Sequence, residues 1–253
     1  AGHPELKISY KYNEATKTET VYLAQTQEGQ TFKLPMAIDI YAGGKKNRYK
    51  VWMNDKTDSL SFQSDVKPDL VNVDADKVLL TKKTDDKTLD EFAFQYFNAP
   101  LFMDRLEAIT FASSHQADKA GQKVIIAALK DKYYGLRIRA LRALTMSNDD
   151  VHNAALPILA SLAQTDENTL VRAAAIAKLG ALKASGNLAL FRQSLSSQSY
   201  AVQAAALNAI GLLEPAESLK IAKGFESDNR GALSQAILNT YALNGTDDQW
   251  EYV

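Results

Sequence analysis

The sequence predicts two parts, an antiparallel β-sandwich followed by an all-α superhelical domain of stacked helical hairpins. Three observations support this fold class. Apolar residues recur at every second position up to about residue 83, and at a helical period from there to the C-terminus. The helical part also repeats its own pattern at intervals of 31 to 35 residues. We therefore expect a sandwich over residues 1–83 and a helical repeat domain over residues 84–253.

Seven short apolar segments, separated by polar turns, are the predicted strands. They span residues 6–12, 20–26, 31–41, 48–54, 59–64, 69–74 and 77–80. In the third segment the apolar side chains from Phe32 to Ile40 alternate with Lys33, Pro35 and Asp39, so that one face is apolar. Pro35 predicts a local edge or a bulge, because proline has no backbone N–H to donate to a central ladder. Short strands with one apolar face each favour an antiparallel sandwich or barrel.

Ten helices are predicted after the strands. They span residues 86–97, 100–113, 117–131, 133–146, 149–164, 168–184, 186–195, 198–212, 215–226 and 228–243. VRAAAIAKLG at 171–180 and VQAAALNAIG at 202–211 match at Val, at three Ala and at the closing Gly. LRIRALRALT at 136–145 and LSQAILNTYA at 233–242 fall in the same frame. A hairpin of this length must stack on its neighbours to bury its apolar stripe, so the pattern predicts a HEAT-like α-solenoid.

Composition and charge exclude several classes of function. The 29 basic and 30 acidic residues are spread along the chain and give a net charge of −1, which disfavours nucleic acid and anionic membranes as partners. The chain has no cysteine, which excludes disulfides, thiolate catalysis and cysteine-ligated metal sites. The sequence has no apolar run near the roughly 20 residues that a membrane-spanning helix needs.

Motifs for catalysis or metal binding are missing from the sequence. The histidines His3, His115 and His152 are far apart, and none belongs to a His-Glu-x-x-His motif. Gly-x-Ser-x-Gly, Walker and Gly-x-Gly-x-x-Gly motifs are absent as well. We therefore predict no catalytic residue, no metal site and no cofactor in this chain.

Two short motifs are assigned structural roles. Asp74 and Asp76 lie at a strand end, and a lone Asp-x-Asp is a weak calcium signal compared with a full calcium loop. We expect these two aspartates to stabilise a turn. Gly43-Gly44 is too short to cradle a phosphate, and it predicts a hairpin turn.

Arginines near the starts of the second helices of consecutive hairpins are the candidates for substrate contact. They are Arg137, Arg139, Arg142 and Arg172. An arginine on the inner helix layer can bind a peptide carboxylate through paired hydrogen bonds. The alternative is that these arginines pair with acidic residues in the turns between hairpins, which are Asp149, Asp150, Asp166 and Glu167.

The succession of a small sandwich and helical repeats resembles the C-terminal half of the aminopeptidase N family of zinc metallopeptidases. Gly2-His3-Pro4 resembles the family's junction after the catalytic domain, and FKLPMAIDIY at 32–41 its Leu-Pro strand. LVNVDADKVLL at 70–80 resembles its closing strand. FQYFNAPLFMDRLEAI at 94–109 is similar to the first helices of its C-terminal region in bacterial members. The resemblance covers nearly the whole chain and is most specific in residues 1–110.

This resemblance implies a noncatalytic C-terminal fragment of a bacterial zinc aminopeptidase that shapes or gates substrate access. The family's His-Glu-x-x-His and Gly-x-Met-Glu-Asn motifs do not occur here, so no catalytic or zinc-binding residue is carried over. It implies a catalytic domain ahead of Ala1 that binds the zinc and is this chain's partner, a peptide substrate, and an exported or periplasmic location. The chain alone is then expected to be inactive.

Two alternatives remain at this stage. The first is a stand-alone HEAT-type scaffold for protein–protein interaction, because helical repeats of this kind commonly bind protein partners. The second is an independent enzyme with a convergent site, which the missing motifs disfavour.

Overall fold

The computed structural model describes residues 2–146, 148–228, 230–249 and residue 252. Contacts divide the chain into two compact units, Ala1–Val124 and Ile125–Val253. The change from strands to helices lies inside the first unit, after Asp85. The predicted domain limits 1–83 and 84–253 stay a prediction.

Among the described residues of the first unit, seven strands form two sheets. The strands are β1 (Glu5–Asn13), β2 (Thr18–Gln25), β3 (Leu34–Ala42), β4 (Lys45–Met53), β5 (Thr57–Gln63), β6 (Leu70–Val73) and β7 (Lys82–Asp85). One sheet has the order β5-β2-β1-β7 and the other β4-β3-β6. Side chains such as Leu6 and Val21 from the first sheet share one buried core with Met36, Ile38 and Val73 from the second. The predicted sandwich is confirmed, because the apolar faces of both sheets meet in this core.

The predicted seventh strand at 77–80 is wrong. β7 lies at Lys82–Asp85 instead, and it pairs parallel to β1, so the sandwich is not purely antiparallel. Asp74 and Lys77 both have a φ of 53°, which turns the chain away from the direction of β6. Val78 and Leu80, two apolar residues of the predicted strand, are as a result 67% and 89% exposed.

Two other sequence predictions for the sandwich are confirmed. Gly43 and Gly44, with φ of 55° and 73°, form the turn between β3 and β4. Pro35 lies in β3, which is the central strand of its sheet, but β6 pairs only with residues 38–41 of that strand. At Pro35 itself β3 pairs with β4 alone, so the missing N–H falls at a local edge.

The part of the chain that the structure describes contains ten α-helices, in the predicted order. They are α1 (Leu89–Asn98), α2 (Phe102–Ser113), α3 (Lys119–Ala128), α4 (Tyr134–Ala143), α5 (Asp149–Thr165), α6 (Thr169–Ala181), α7 (Leu188–Ser194), α8 (Tyr200–Leu213), α9 (Pro215–Phe225) and α10 (Ala232–Asn244). In the second unit α5 packs on α6, α7 on α8 and α9 on α10 as hairpins. The second helices form a continuous layer, with α4 on α6, α6 on α8 and α8 on α10. The predicted solenoid is confirmed.

α6 and α8 approach each other closely at Gly180. A Cβ atom added there would lie 2.6 Å from the Cβ of Ala209 and 2.9 Å from its Cα, nearer than side chains approach. Ala175 and Ala206, which occupy matching positions in the two repeats, are completely buried. The repeated small residues are therefore what lets adjacent hairpins stack.

The helix α2 is tied to the strand region of the first unit by buried charges. Lys77 Nζ lies 3.0 Å from Asp104 Oδ1 and 2.8 Å from Glu107 Oε2. Lys83 Nζ, from β7, lies 2.7 Å from Glu107 Oε1. Burial alone raises the pKa of Glu107, but the charges of Lys77 and Lys83 outweigh it and lower the pKa to about 2. Glu107 is thus an ionised carboxylate shared by two nearly buried lysines.

We predict that Gly180→Val destabilises the helical unit by about 3 kcal/mol, because the added side chain meets the backbone and Cβ of Ala209 and overpacks the contact. Gly224→Val is the matched control, since a Cβ at Gly224 has nothing within 4 Å. Urea unfolding followed by the helical circular dichroism signal gives both values. Equal stability of the two variants would contradict the close approach.

We predict that acid weakens the first unit through Glu107. An unfolded glutamate has a pKa of about 4.3, so the stabilisation from ionised Glu107 is complete above that pH and is lost as the pH falls toward 2. Glu107→Gln should flatten this acid dependence and lower the free energy of unfolding at neutral pH by about 3 kcal/mol, because both lysines lose their shared carboxylate.

Urea unfolding at pH 7, 4.5 and 3 measures the acid dependence of both proteins. Glu28→Gln, which changes an exposed glutamate, should retain the wild-type dependence. An acid slope in Glu107→Gln as steep as that of the wild type would show that other carboxylates are responsible.

Candidate functional site

A groove of about 500 Å³ lies along the contact between α4 and α6 in the second unit. Its lining residues on α6 recur at intervals of three or four positions, as those of one helical face do, and they include Ala173, Ala174, Ala177 and Ala181. Ile138 and Leu141 of α4 and Leu170 of α6 add larger apolar side chains. Because alanine fills little space, this face of α6 leaves room for a bound group.

Two of the lining side chains are cationic, Arg142 of α4 and Lys178 of α6. Arg142 is exposed, whereas Lys178 is half-buried and its Nζ donates a hydrogen bond to the carbonyl oxygen of Leu144 at 2.9 Å. Burial lowers the pKa of Lys178. None of the described residues that line the groove is acidic. The groove therefore combines an apolar surface with a local excess of positive charge, which suits a ligand with a carboxylate.

Arg137, one of the predicted contact residues, is engaged within the protein. It is 7% exposed, and its Nη2 donates to Asp166 Oδ1 at 2.8 Å. Its Nη1 donates to the carbonyl oxygen of Asp131 at 2.9 Å. Arg172 donates to the main-chain carbonyl oxygen of Asp166 at 3.0 Å. Arg137 therefore fits the alternative interpretation, because it forms an ion pair with Asp166 in the turn between two helices.

The other two predicted arginines, Arg139 and Arg142, are both exposed on α4. Arg142 lines the groove, whereas Arg139 is not among its lining residues. Contact with a substrate stays a prediction for all four arginines. Lys178 lies outside the sequence prediction, which rests on the paired hydrogen bonds that arginine makes with a carboxylate. The signal was available, since Lys178 shares a helical face with Ala174 and Ala181.

The two aspartates assigned to a turn make different contacts. The carboxylate of Asp74 accepts hydrogen bonds from the N–H groups of Val78 at 3.1 Å and Leu79 at 3.3 Å, which confirms its turn-stabilising role. Asp76 Oδ1 instead accepts a hydrogen bond from Arg48 Nη1 at 2.7 Å. In the described ranges no group of three or more His, Cys, Asp or Glu residues is arranged to hold a metal ion. Among the described helices none is both long and apolar enough to cross a membrane.

Comparison with known proteins gives matches to a family model and to solved structures. A family model described as HEAT repeats matches residues 96–180 and 156–242. Among solved structures, Legionella pneumophila aminopeptidase A in complex with aspartic acid has a similar fold over 100% of this chain, with a TM-score of 0.64 and 10% sequence identity. The chain spans 37% of the length of that solved chain. None of the curated proteins matches the sequence. At this identity the structural likeness concerns the fold alone.

We predict that two arginines of α4 differ sharply in their contribution to stability. Arg137→Gln should cost about 3 kcal/mol, because it leaves the buried Asp166 carboxylate without its ion-pair partner. Arg142→Gln should change the free energy of unfolding by no more than about 0.5 kcal/mol, as is usual for an exposed side chain. Urea unfolding of both variants checks the difference, and equal costs would refute the assignment of Arg137 as structural.

Proposed function

Because the chain belongs to the HEAT-repeat family, we propose that its helices serve as a noncatalytic module that shapes or gates substrate access in a zinc-dependent aminopeptidase. The zinc and the catalytic groups belong, in this proposal, to a separate catalytic domain. The fold likeness to an aminopeptidase over the full length of the chain supports it, as does the sequence resemblance in residues 1–110. The sequence supplies no catalytic motif of its own, which is consistent with an accessory role.

The groove between α4 and α6 is the observation that carries this proposal. An aminopeptidase acts on the N-terminal end of a peptide, so the opposite end of a short substrate carries a free carboxylate. The guanidinium of Arg142 can donate two hydrogen bonds to such a carboxylate. Lys178 adds a second positive charge, and the alanines of α6 leave space for the peptide backbone. We assign Arg142 as the principal contact for the C-terminal carboxylate.

If the chain is instead a scaffold, the same surface binds a folded protein and not the end of a peptide. A protein partner bound along the helix layer contacts many side chains and does not require a free C-terminus. Dependence of binding on the peptide carboxylate therefore separates the two functions.

We predict that a short fluorescent peptide with a free C-terminal carboxylate binds the chain, and that its C-terminal amide binds at least tenfold more weakly. Arg142→Gln should weaken binding of the acid by about tenfold, since a hydrogen bond to a charged group contributes roughly 1.5 kcal/mol or more. Fluorescence anisotropy at fixed ionic strength measures these affinities.

Arg139→Gln is the matched control, because it removes the same charge from the same helix outside the groove. It should retain wild-type affinity. Equal binding of acid and amide would contradict the proposal and favour the scaffold. An equal loss in the Arg139 and Arg142 variants would reduce the effect to net charge.

A further inference from the structure

A second cavity, of about 330 Å³, lies in the first unit, and it has an acidic lining. Its charged lining residues are Glu14, Glu19, Lys67, Asp86 and Glu91, so that four carboxylates face one ammonium group. Two tyrosine rings of β1, Tyr10 and Tyr12, line it as well. Its volume lies within the range of about 300 to 1,000 Å³ that is usual for small-molecule sites.

Glu19 is the residue that sets this cavity apart from an ordinary acidic surface. It is 3% exposed, because the alternation of β2 places it on the same inward face as Val21 and Leu23. Its Oε1 atom is buried and has no hydrogen-bond partner. A buried carboxylate oxygen without a partner is costly, so a complementary group at this position would be strongly favoured.

The surrounding charges leave Glu19 short of positive partners. Burial and the charge of Glu91 raise the pKa of Glu19 to about 7, although the backbone N–H of Lys11 and the charge of Lys67 act in the opposite direction. Glu91 is itself occupied, since its Oε2 accepts hydrogen bonds from the N–H of Thr88 at 2.6 Å and its hydroxyl at 2.9 Å. Glu91 thereby interacts with the positive N-terminal end of α1. This interaction does not supply a positive partner for Glu19.

The lining favours an organic cation over a metal ion. In the part of the chain that the structure describes, no group of three acidic or histidine side chains converges on a metal position. The tyrosine rings are held in place, because Tyr10 donates its hydroxyl hydrogen to Asp85 at 2.7 Å and Tyr12 to the carbonyl oxygen of Ser64 at 3.0 Å. Aromatic faces beside carboxylates are a common setting for alkylammonium groups.

We propose that this acidic cavity binds a small organic ammonium ion, with the carboxylate of Glu19 accepting a hydrogen bond from the ammonium group. The exposed carboxylates of Glu14 and Asp86 attract the cation to the opening. The site lies in the first unit and its role is separate from that of the groove between α4 and α6.

The test uses 1,4-diaminobutane as the ligand and 1,4-butanediol as its uncharged counterpart, both titrated into the full chain by calorimetry at constant ionic strength. We expect saturable binding of the diamine alone. Glu19→Gln, which is close in shape, should weaken it at least tenfold, and Glu14→Gln should weaken it severalfold. Glu28→Gln, which changes an exposed glutamate that does not line the cavity, should bind as the wild type does.

A pH series adds a readout that a structural role of Glu19 would not give. Glu19 is faced by Glu14, Lys67, Asp86, Glu91 and the two tyrosines. Since its pKa is about 7, diamine affinity should rise about tenfold between pH 6 and pH 8 in the wild type, and should stay flat in Glu19→Gln. Absence of saturable binding, equal binding by Glu19→Gln, or equal displacement of the diamine by Mg²⁺ would each overturn the proposal.

Discussion

The layer formed by the second helices of the hairpins depends on close contacts between glycine and alanine residues, which have the smallest side chains. At Gly180 the backbone of α6 meets Ala209 of α8 so closely that a single methyl group does not fit. The same choice of small residues has a second effect on the face of α6 that packs less completely. There Ala173, Ala174 and Ala177 leave open space, and this space is the groove beside Arg142 and Lys178. Stacking of the repeats and the candidate binding surface thus have one physical origin.

Two glutamates of the first unit show that the ionisation of a buried carboxyl group depends on its charged partners as well as on its burial. Glu107 is shared by Lys77 and Lys83, and its pKa falls to about 2. Glu19 is more deeply buried but has an oxygen without a partner, and its pKa rises to about 7. The first arrangement fastens helix α2 to the strand region. The carboxylate of Glu19 has no cationic partner among the described residues that is sufficient to lower its pKa, and for this reason we assign a cationic ligand to it.

Much of the fold follows from the sequence, because helical period and repeat length are local signals. The ten helices and the hairpin turn at Gly43-Gly44 were predictable in this way. β7 was missed because its inward positions, Lys83 and Asp85, are charged and make ion pairs rather than apolar contacts. Glu19 is hidden for a related reason, since it is a charged residue on the otherwise apolar inward face of β2. The roles of the arginines could be predicted only in part. Helical period alone does not distinguish Arg137, which pairs with a turn, from Arg142, which lines the groove.

The most direct test of the peptide groove is a methyl NMR titration of the alanine-labelled chain with a short peptide that has a free C-terminal carboxylate. The account predicts concerted, saturable shifts of the methyl signals of Ala173, Ala174 and Ala177, which line the groove. The methyl signal of Ala206, buried in α8, should stay unchanged. Saturable shifts confined to other alanines, or no shifts at all, would contradict the assignment of this surface to the peptide.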